Sequence, residues 1–227
     1  IRSSKAANPR SVAEIKRNKS YLKEIIMKKN TKKVVVQVVQ HLRAGGIECL
    51  VLEMMRTSLM SQNEDMHIIS LEGTMEEALS HWPRLKPFKT YLHFINKKPG
   101  ISIRALLKVR TLRKELNADV LHSHHIGPLL YGGIAARFSD IQCRIHTEHD
   151  AWHMQDAKRR KLESGLLKLV SPKLVADASD VEQQLKIYQP NQAIRLMLQS
   201  SQKQSPSYIR PTGKQKQKLY YHIHFFL

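Results

Sequence analysis

Six short aliphatic runs alternate with helix-length patterns between residues 34 and 188, and this alternation leaves the chain few folds to adopt. The strand-like runs are VVVQVVQ (34–40), MHIISL (66–71), TYLHFI (90–95), ADVLHS (118–123), CRIHT (143–147) and KLVADAS (173–179). They are short and rich in β-branched residues, as buried strands are. Between them lie helical patterns at 47–60, 76–82, 102–116, 128–138, 157–170 and 180–188, the second stopped by Pro83. Strands alternating with helices over short links predict an α/β fold: a Rossmann-like, open, mostly parallel sheet with helices on both faces. In the helix at 102–116, Ile103, Leu106, Leu107 and Val109 are expected near one face. The segment at 128–138 is apolar on most sides, as a helix wedged against a sheet would be.

The net charge of +19 suggests a nucleic-acid partner, but its location argues otherwise. Residues 1–33 carry 11 Lys/Arg against 2 Glu, and residues 189–227 carry 6 Lys/Arg and no acid. The middle holds 21 Lys/Arg and 17 acids, an ordinary globular mixture. No basic stripe interleaved with aromatics and no zinc-finger spacing is present, so a specific nucleic-acid partner is not expected. No apolar run approaches the length of a membrane span. Cys49 and Cys143 lie in apolar patterns and read as buried thiols of a reducing compartment rather than as a disulfide.

Three segments follow from these patterns. Residues 1–31 form a basic extension, and residues 32–190 form the α/β domain. Residues 191–227 form a Gln-, Ser- and Lys-rich tail. Both ends are expected to be non-native coding sequence: readthrough ahead of Met27 and a change of frame after Pro190.

In open parallel sheets, ligands collect outside the carboxyl ends of the strands. The unusual residues of this chain fall at those positions. His41, Gly45, Gly46 and Glu48 follow the first strand, and His122, His124, His125 and Gly127 end the fourth. His146, Glu148, His149 and Asp150 end the fifth, and Ser179 and Asp180 follow the sixth. Glycines opening a helix allow a phosphate to approach free backbone N–H groups, or simply make a tight turn. The histidines admit three readings: hydrogen-bonded strand ends, a metal site drawing on His122, His124, His146 and His149, or a rim that handles protons, phosphates or sugars. Lys158–Lys161 reads as a solvated helix face or a contact for anionic head groups. Trp82 is expected to pack, as is Trp152, which stacking on a sugar would also suit.

The segments VVQHLRAGGIECLVLEM, DVLHSHHIGPLLYGGIAARF, RIHTEHDAWHMQDAKRRKL and LVADASDVEQQL together resemble the N-terminal domain of family-four glycosyltransferases, from Lys32 to Pro190. The likeness is strongest to bacterial members that build surface polysaccharide or lipopolysaccharide. It implies a retaining, hexosyltransferase-like enzyme of two facing Rossmann-like domains, cytoplasmic or peripheral at the inner membrane. A nucleotide-sugar donor and a glycan or lipid-linked acceptor are implied, with no cofactor and no metal. By the resemblance, His149 contacts the transferred sugar and aids the transition state without acting as a nucleophile. Gly45 and Gly46 match the loop near the donor phosphates and reaction centre. His122, His124, His125, Glu148 and Asp150 are expected to line the acceptor side, His146 and His153 to be structural, and Ser179 to match the serine closing the domain's last strands. The resemblance stops at NQAIRLMLQSS, where the family's hinge and donor-binding domain would begin, so this chain alone is expected to have little or no transferase activity. Two other functions stay open: a non-enzymatic basic module binding nucleic acid or anionic membrane, and a His-rich metal-binding protein.

Overall fold

The computed structural model describes residues 32–62, 64–141, 143–150 and 152–196, apart from the side chains of 152, 153, 195 and 196. The expectations for residues 1–31 and 197–227, and for the side chains of Trp152 and His153, fall outside these.

The strands are β1 (Lys33–Val39), β2 (Glu64–Ser70), β3 (Leu92–Phe94), β4 (Val120–His124), β5 (Cys143–Glu148), β6 (Lys173–Ala176) and β7 (Ile194–Leu196). The helices are α1 (Gly46–Ser61), α2 (Met75–His81), α3 (Ile103–Glu115), α5 (Ala157–Val170) and α6 (Ser179–Tyr188). Helix α4 runs through Ile126–Pro128, a π turn at Leu129–Gly133, and Ile134–Arg137. The sheet has seven strands in the order β3-β2-β1-β4-β5-β6-β7, and every pair is parallel. This is the α/β, Rossmann-like sheet that the alternation predicts. The order reverses between β1 and β4, and at such a switch point neighbouring loops part to open a crevice.

Side chains of β1 alternate between two apolar layers. Val35 and Val39 pack with Val51, Leu52, Met54 and Met55 of α1. Val36 and Val38 pack with Ala105 and Val109 of α3 and with Tyr131, Ala135 and Ala136 of α4. A third cluster joins Leu166, Leu167 and Val170 of α5 to Leu174 and to Val181 and Leu185 of α6. Helix α4 lies close to the sheet because Gly132 carries no side chain, and close to α5 because Gly133 carries none. A Cβ at Gly132 would stand 3.0 Å from Val38 and 3.1 Å from Leu121, and one at Gly133 would stand 2.9 Å from Leu129 and 3.1 Å from Val170.

Four details differ from the sequence reading. On α3, Ile103 and Leu107 are exposed, and the buried stripe is Ala105, Val109 and Arg113. Residues 83–91 form a 3-10 helix, which takes Thr90 and Tyr91 from the expected third strand. Beyond Pro190, where the domain was expected to end, β7 adds a strand beside β6. Cys49 and Cys143 form no disulfide and are half-buried rather than fully buried. Trp82 is buried in the first core cluster, the packing role expected of it.

Candidate functional site

The apolar layer shared with α1 turns polar at the carboxyl ends of the strands. Gln37, His122 and Ile145 are register neighbours across β1, β4 and β5, so side chains two residues further along the strands share one face. On that face a hydrogen-bonded row crosses the sheet. Gln37 Oε1 accepts from His124 Nε2 at 2.8 Å. His124 Nδ1 is thereby left as an acceptor and takes a hydrogen bond from His149 Nε2 at 2.9 Å. The other edge of His149 is fixed by Asp177, with Nδ1 2.9 Å from Oδ2. Gln37 and His124 are buried, and the His149 side chain is 7% exposed. Burial, together with the neighbouring histidines, holds His124 well below the ordinary histidine pKa and therefore neutral. Asp177 Oδ1, also buried, has no hydrogen-bond partner among the described residues.

One step deeper, His122 Nε2 shares a 2.7 Å hydrogen bond with Thr147 Oγ1. Burial pushes its pKa down to about 3, helped by His149 and His146.

The opposite face of β4 and β5 carries a second polar group. His146 Nδ1 is 2.9 Å from Ser123 Oγ, and its Nε2 is 2.7 Å from Glu148 Oε1. Burial pushes the Glu148 carboxyl up, but hydrogen bonds from His125 and His146, and the charge on both rings, hold it at about 2. His125 bridges outward, 3.6 Å from Glu148 Oε2 and 3.7 Å from Asp150 Oδ2, on a backbone with φ +68°. Potential ligand atoms of His146, Glu148 and Glu163 of α5 lie within 4.8 Å of one another. All three residues are fully buried, and the 2.7 Å His146–Glu148 contact is already a charge-assisted hydrogen bond. The three side chains lie buried between β5 and α5.

In front of these layers lies a cleft of about 630 Å³, lined by residues that include Gln40, His41, Gly46, Glu48, His124, His125, His149, Asp150 and Asp177. The N-terminus of α1 opens into it, offering first-turn N–H groups that the helix does not use. The two glycines there differ. A Cβ at Gly45 would press into the Glu48 carboxylate, whereas one at Gly46 would meet nothing within 4 Å. Gly45 has extended backbone that any residue adopts, and only the flexible end of Glu48 would have to move for a Cβ there. Glu48 folds back over the loop and pairs with His41 at 3.2 Å.

The residues expected at the site divide as follows. His124, His125, His149, Asp150 and Gly46 line the cleft. His122 and Glu148, expected on its wall, are fully buried beneath it, and Gly45 stands behind Glu48. His146 turns to the opposite face, so the four histidines do not converge on one point. Ser179 begins α6 and is exposed, outside the cleft lining. Sequence reasoning missed Gln37, Asp177 and Glu163. The signal for Asp177 was present: β6 ends at Ala176, so Asp177, not Ser179, is the first residue off the strand. Gln37 is the one polar residue among the five valines that follow Lys33 in β1. Glu163 carried no distinguishing signal in a helix with charged residues on several sides.

The family model described as Glycosyltransferase Family 4 matches residues 32–191. Among solved structures, a glycosyltransferase from Rickettsia africae is 21% identical with a TM-score of 0.52, covering 74% of this chain and 43% of that one. A UDP-N-acetylglucosamine 2-epimerase is 15% identical with a TM-score of 0.53, covering 74% and 48%. An alpha-glucosyltransferase in complex with UDP and a 13-mer DNA is 9% identical with a TM-score of 0.50, covering 74% and 42%. The chain thus spans under half the length of each, and at these identities the likeness is one of fold. No curated protein matches the sequence.

Proposed function

Because this chain belongs to Glycosyltransferase Family 4, we propose that its cleft is the acceptor-side wall of a sugar-transfer site. The observation that carries this reading is the placement of His149, clamped between His124 and Asp177 at the mouth of a cleft faced by the open N-terminus of α1. In this reading, the half of the matched structures that this chain does not span would hold most of a nucleotide-sugar donor. The domain of residues 32–190, lengthened by β7, would present the acceptor, a glycan or lipid-linked sugar of surface polysaccharide or lipopolysaccharide. Transfer would proceed with retention of configuration.

In this reading each group has a definite task. His149 contacts the transferred sugar without acting as a nucleophile, with its Nδ1 held by Asp177. A sugar hydroxyl that bonds to its Nε2 must displace His124 Nδ1. Asp177 Oδ1, buried and unpartnered among the described residues, suits a second sugar hydroxyl. Gly46, not Gly45, is where a donor phosphate can approach backbone N–H groups. His125 and Asp150 form the rim on the acceptor side.

The test is a fusion of this domain to the part of the Rickettsia africae glycosyltransferase that it does not span. It should transfer sugar from a nucleotide donor with retained anomeric configuration, read by NMR, while the chain alone should turn over little or not at all. His149→Ala should lower kcat by about 100-fold or more. Unchanged turnover in that variant overturns the assignment of His149.

A further inference from the structure

A fully buried glutamate on the core face of a helix is rare, and α5 carries one close to a second. Glu163 lies in the buried stripe of α5 with Leu166, Leu167 and Val170, and it is 0% exposed, as are Glu148 and His146 of β5. His146 and Glu148 alternate with Thr147 and so share one face of the sheet. One ligating atom from each of the three residues falls within 4.8 Å of the others. The row of Gln37, His124 and His149 runs along the other face, so this cluster is separate from the histidines of the cleft.

Ser123 fixes which nitrogen of His146 faces the carboxylates. Its hydroxyl donates to Ile145 O at 3.3 Å, and Oγ lies 2.9 Å from His146 Nδ1. A hydroxyl has one proton to give, so Oγ accepts from the ring and Nδ1 carries the N–H. The neutral ring then turns the lone pair of Nε2 toward Glu148 Oε1, 2.7 Å away. Two acceptors that close require a positive charge between them. In the hydrogen-bonded form that charge is a proton, which joins this one pair of atoms. A divalent ion can be shared by all three ligand atoms, and it offsets the repulsion between neighbouring carboxylates. A histidine held through its far nitrogen by a polar partner is also the usual arrangement at a metal. Zinc bonds of about 2.0–2.2 Å would set tetrahedral ligand atoms roughly 3.3 Å apart, so the 2.7 Å contact need open only slightly.

We propose that His146 Nε2, Glu148 and Glu163 bind one divalent transition-metal ion, zinc by preference, as a structural centre that ties β5 to α5. An imidazole nitrogen with carboxylate oxygens suits zinc, whereas magnesium and calcium take oxygen ligands. A second carboxylate oxygen or a water completes the four positions. The resemblance implies no metal, so the centre is this chain's own, and on the face away from His149 it does not touch the sugar. It reaches the cleft at one remove, since Glu148 Oε2 stands 3.6 Å from His125 on the rim. An ion that fixes Glu148 thereby steadies His125 against the acceptor. That last step rests on the proposed transfer function; the binding of the ion does not.

The experiment uses the full chain, stripped with a chelator and titrated with zinc or magnesium. The chain has 12 histidines, and His67 and His93 place ring nitrogens 3.1 Å apart on β2 and β3, so variants must separate the sites. The wild type should bind one tight equivalent of zinc. At about 100 times its Kd, zinc should raise the melting temperature by roughly 5–10 °C, and magnesium should not. Glu163→Gln keeps the shape of the side chain and should lose the tight equivalent. Ser123→Ala touches no carboxylate and should weaken zinc by about 10- to 100-fold, through the orientation of His146. His93→Asn should bind as the wild type does. Cobalt(II) in place of zinc should show the intense visible absorption of tetrahedral coordination in the wild type and in His93→Asn, but not in Glu163→Gln. A wild type with no tight equivalent overturns the site, as does zinc binding unchanged in both Glu163→Gln and Ser123→Ala. Loss of the tight equivalent in His93→Asn also overturns it, by moving the ion to β2 and β3. None of these outcomes depends on turnover of the fused enzyme, so the two proposals fail separately.

Discussion

His149 Nε2 lies 2.9 Å from His124 Nδ1, and the direction of that hydrogen bond is set two strands away, by Gln37. Because Gln37 Oε1 takes the proton side of His124 Nε2, only Nδ1 remains to accept from His149. Gln37→Leu keeps the approximate volume and removes the acceptor. His124 would then bury an N–H without a partner, at a cost of about 1–3 kcal/mol. Urea unfolding of the chain measures this directly. A variant as stable as the wild type would show that Gln37 does not orient His124.

Acid should weaken the fold in a predictable window. The pKa of His122 falls from 6.5 to about 3 and that of His93 from 6.5 to about 4, both chiefly through burial. Glu148 falls from 4.5 to about 2 against the effect of burial, held down by His125 and His146. In each case the unfolded chain takes up a proton at a pH where the native chain does not, so stability rises with pH across the gap. The fold should be insensitive to these groups above pH 6.5 and lose stability as pH falls below it. The steepest loss should lie near pH 4.5 to 4, where all three contribute. Melting temperature followed from pH 8 to 4 checks this, and His122→Asn should flatten the limb below 6.5. A flat profile from pH 7 to 4 would contradict it.

The fold was legible because hydrophobic period and strand length are local properties. Val34–Val39 and Ile68–Ile69 could hardly lie anywhere but inside a sheet, and Pro83 could hardly fail to stop a helix. The site was legible only in part. Sequence position places a residue at a strand end but does not say how deep it sits. His122 and His124 share a face, yet only His124 reaches the cleft, since β4 continues two residues past His122. The exposed Ile103 and Leu107 misled for the opposite reason. Periodicity shows that apolar residues share a stripe, not which stripe meets the core, and Ala105 and Val109 are the ones that pack. Gln37 and Asp177 act through partners 87 and 28 residues away, and such pairings exist only after the sheet has formed.

Gly132→Ala should destabilise the chain although alanine is the better helix former. The propensity gain of about 1 kcal/mol is opposed by the 3.0–3.1 Å approach to Val38 and Leu121, both buried strand residues with little room to move. A net loss of about 1–2 kcal/mol is expected, read from urea unfolding. Gly165→Ala, where an added Cβ meets nothing within 4 Å, should instead be neutral or stabilising. Equal effects at the two positions would mean that close packing does not explain the paired glycines of α4.

Glu48→Gln should strengthen anion binding at the N-terminus of α1. The carboxylate of Glu48 lies against Gly45 and pairs with His41, so it occupies the positive end of the helix where a phosphate would otherwise sit. Removing that charge removes a repulsion and leaves the first-turn N–H groups in place. An N-terminal charge effect of about 0.3–1 kcal/mol corresponds to roughly a two- to fivefold gain in affinity. Inorganic pyrophosphate titrated into the wild type and the variant, followed by calorimetry, gives the comparison without assuming which nucleotide sugar is the donor. Gly46→Val should oppose the gain, because its side chain would stand in the open space through which the anion approaches. If Glu48→Gln binds pyrophosphate no better than the wild type while Gly46→Val binds it equally well, phosphate does not approach through this loop.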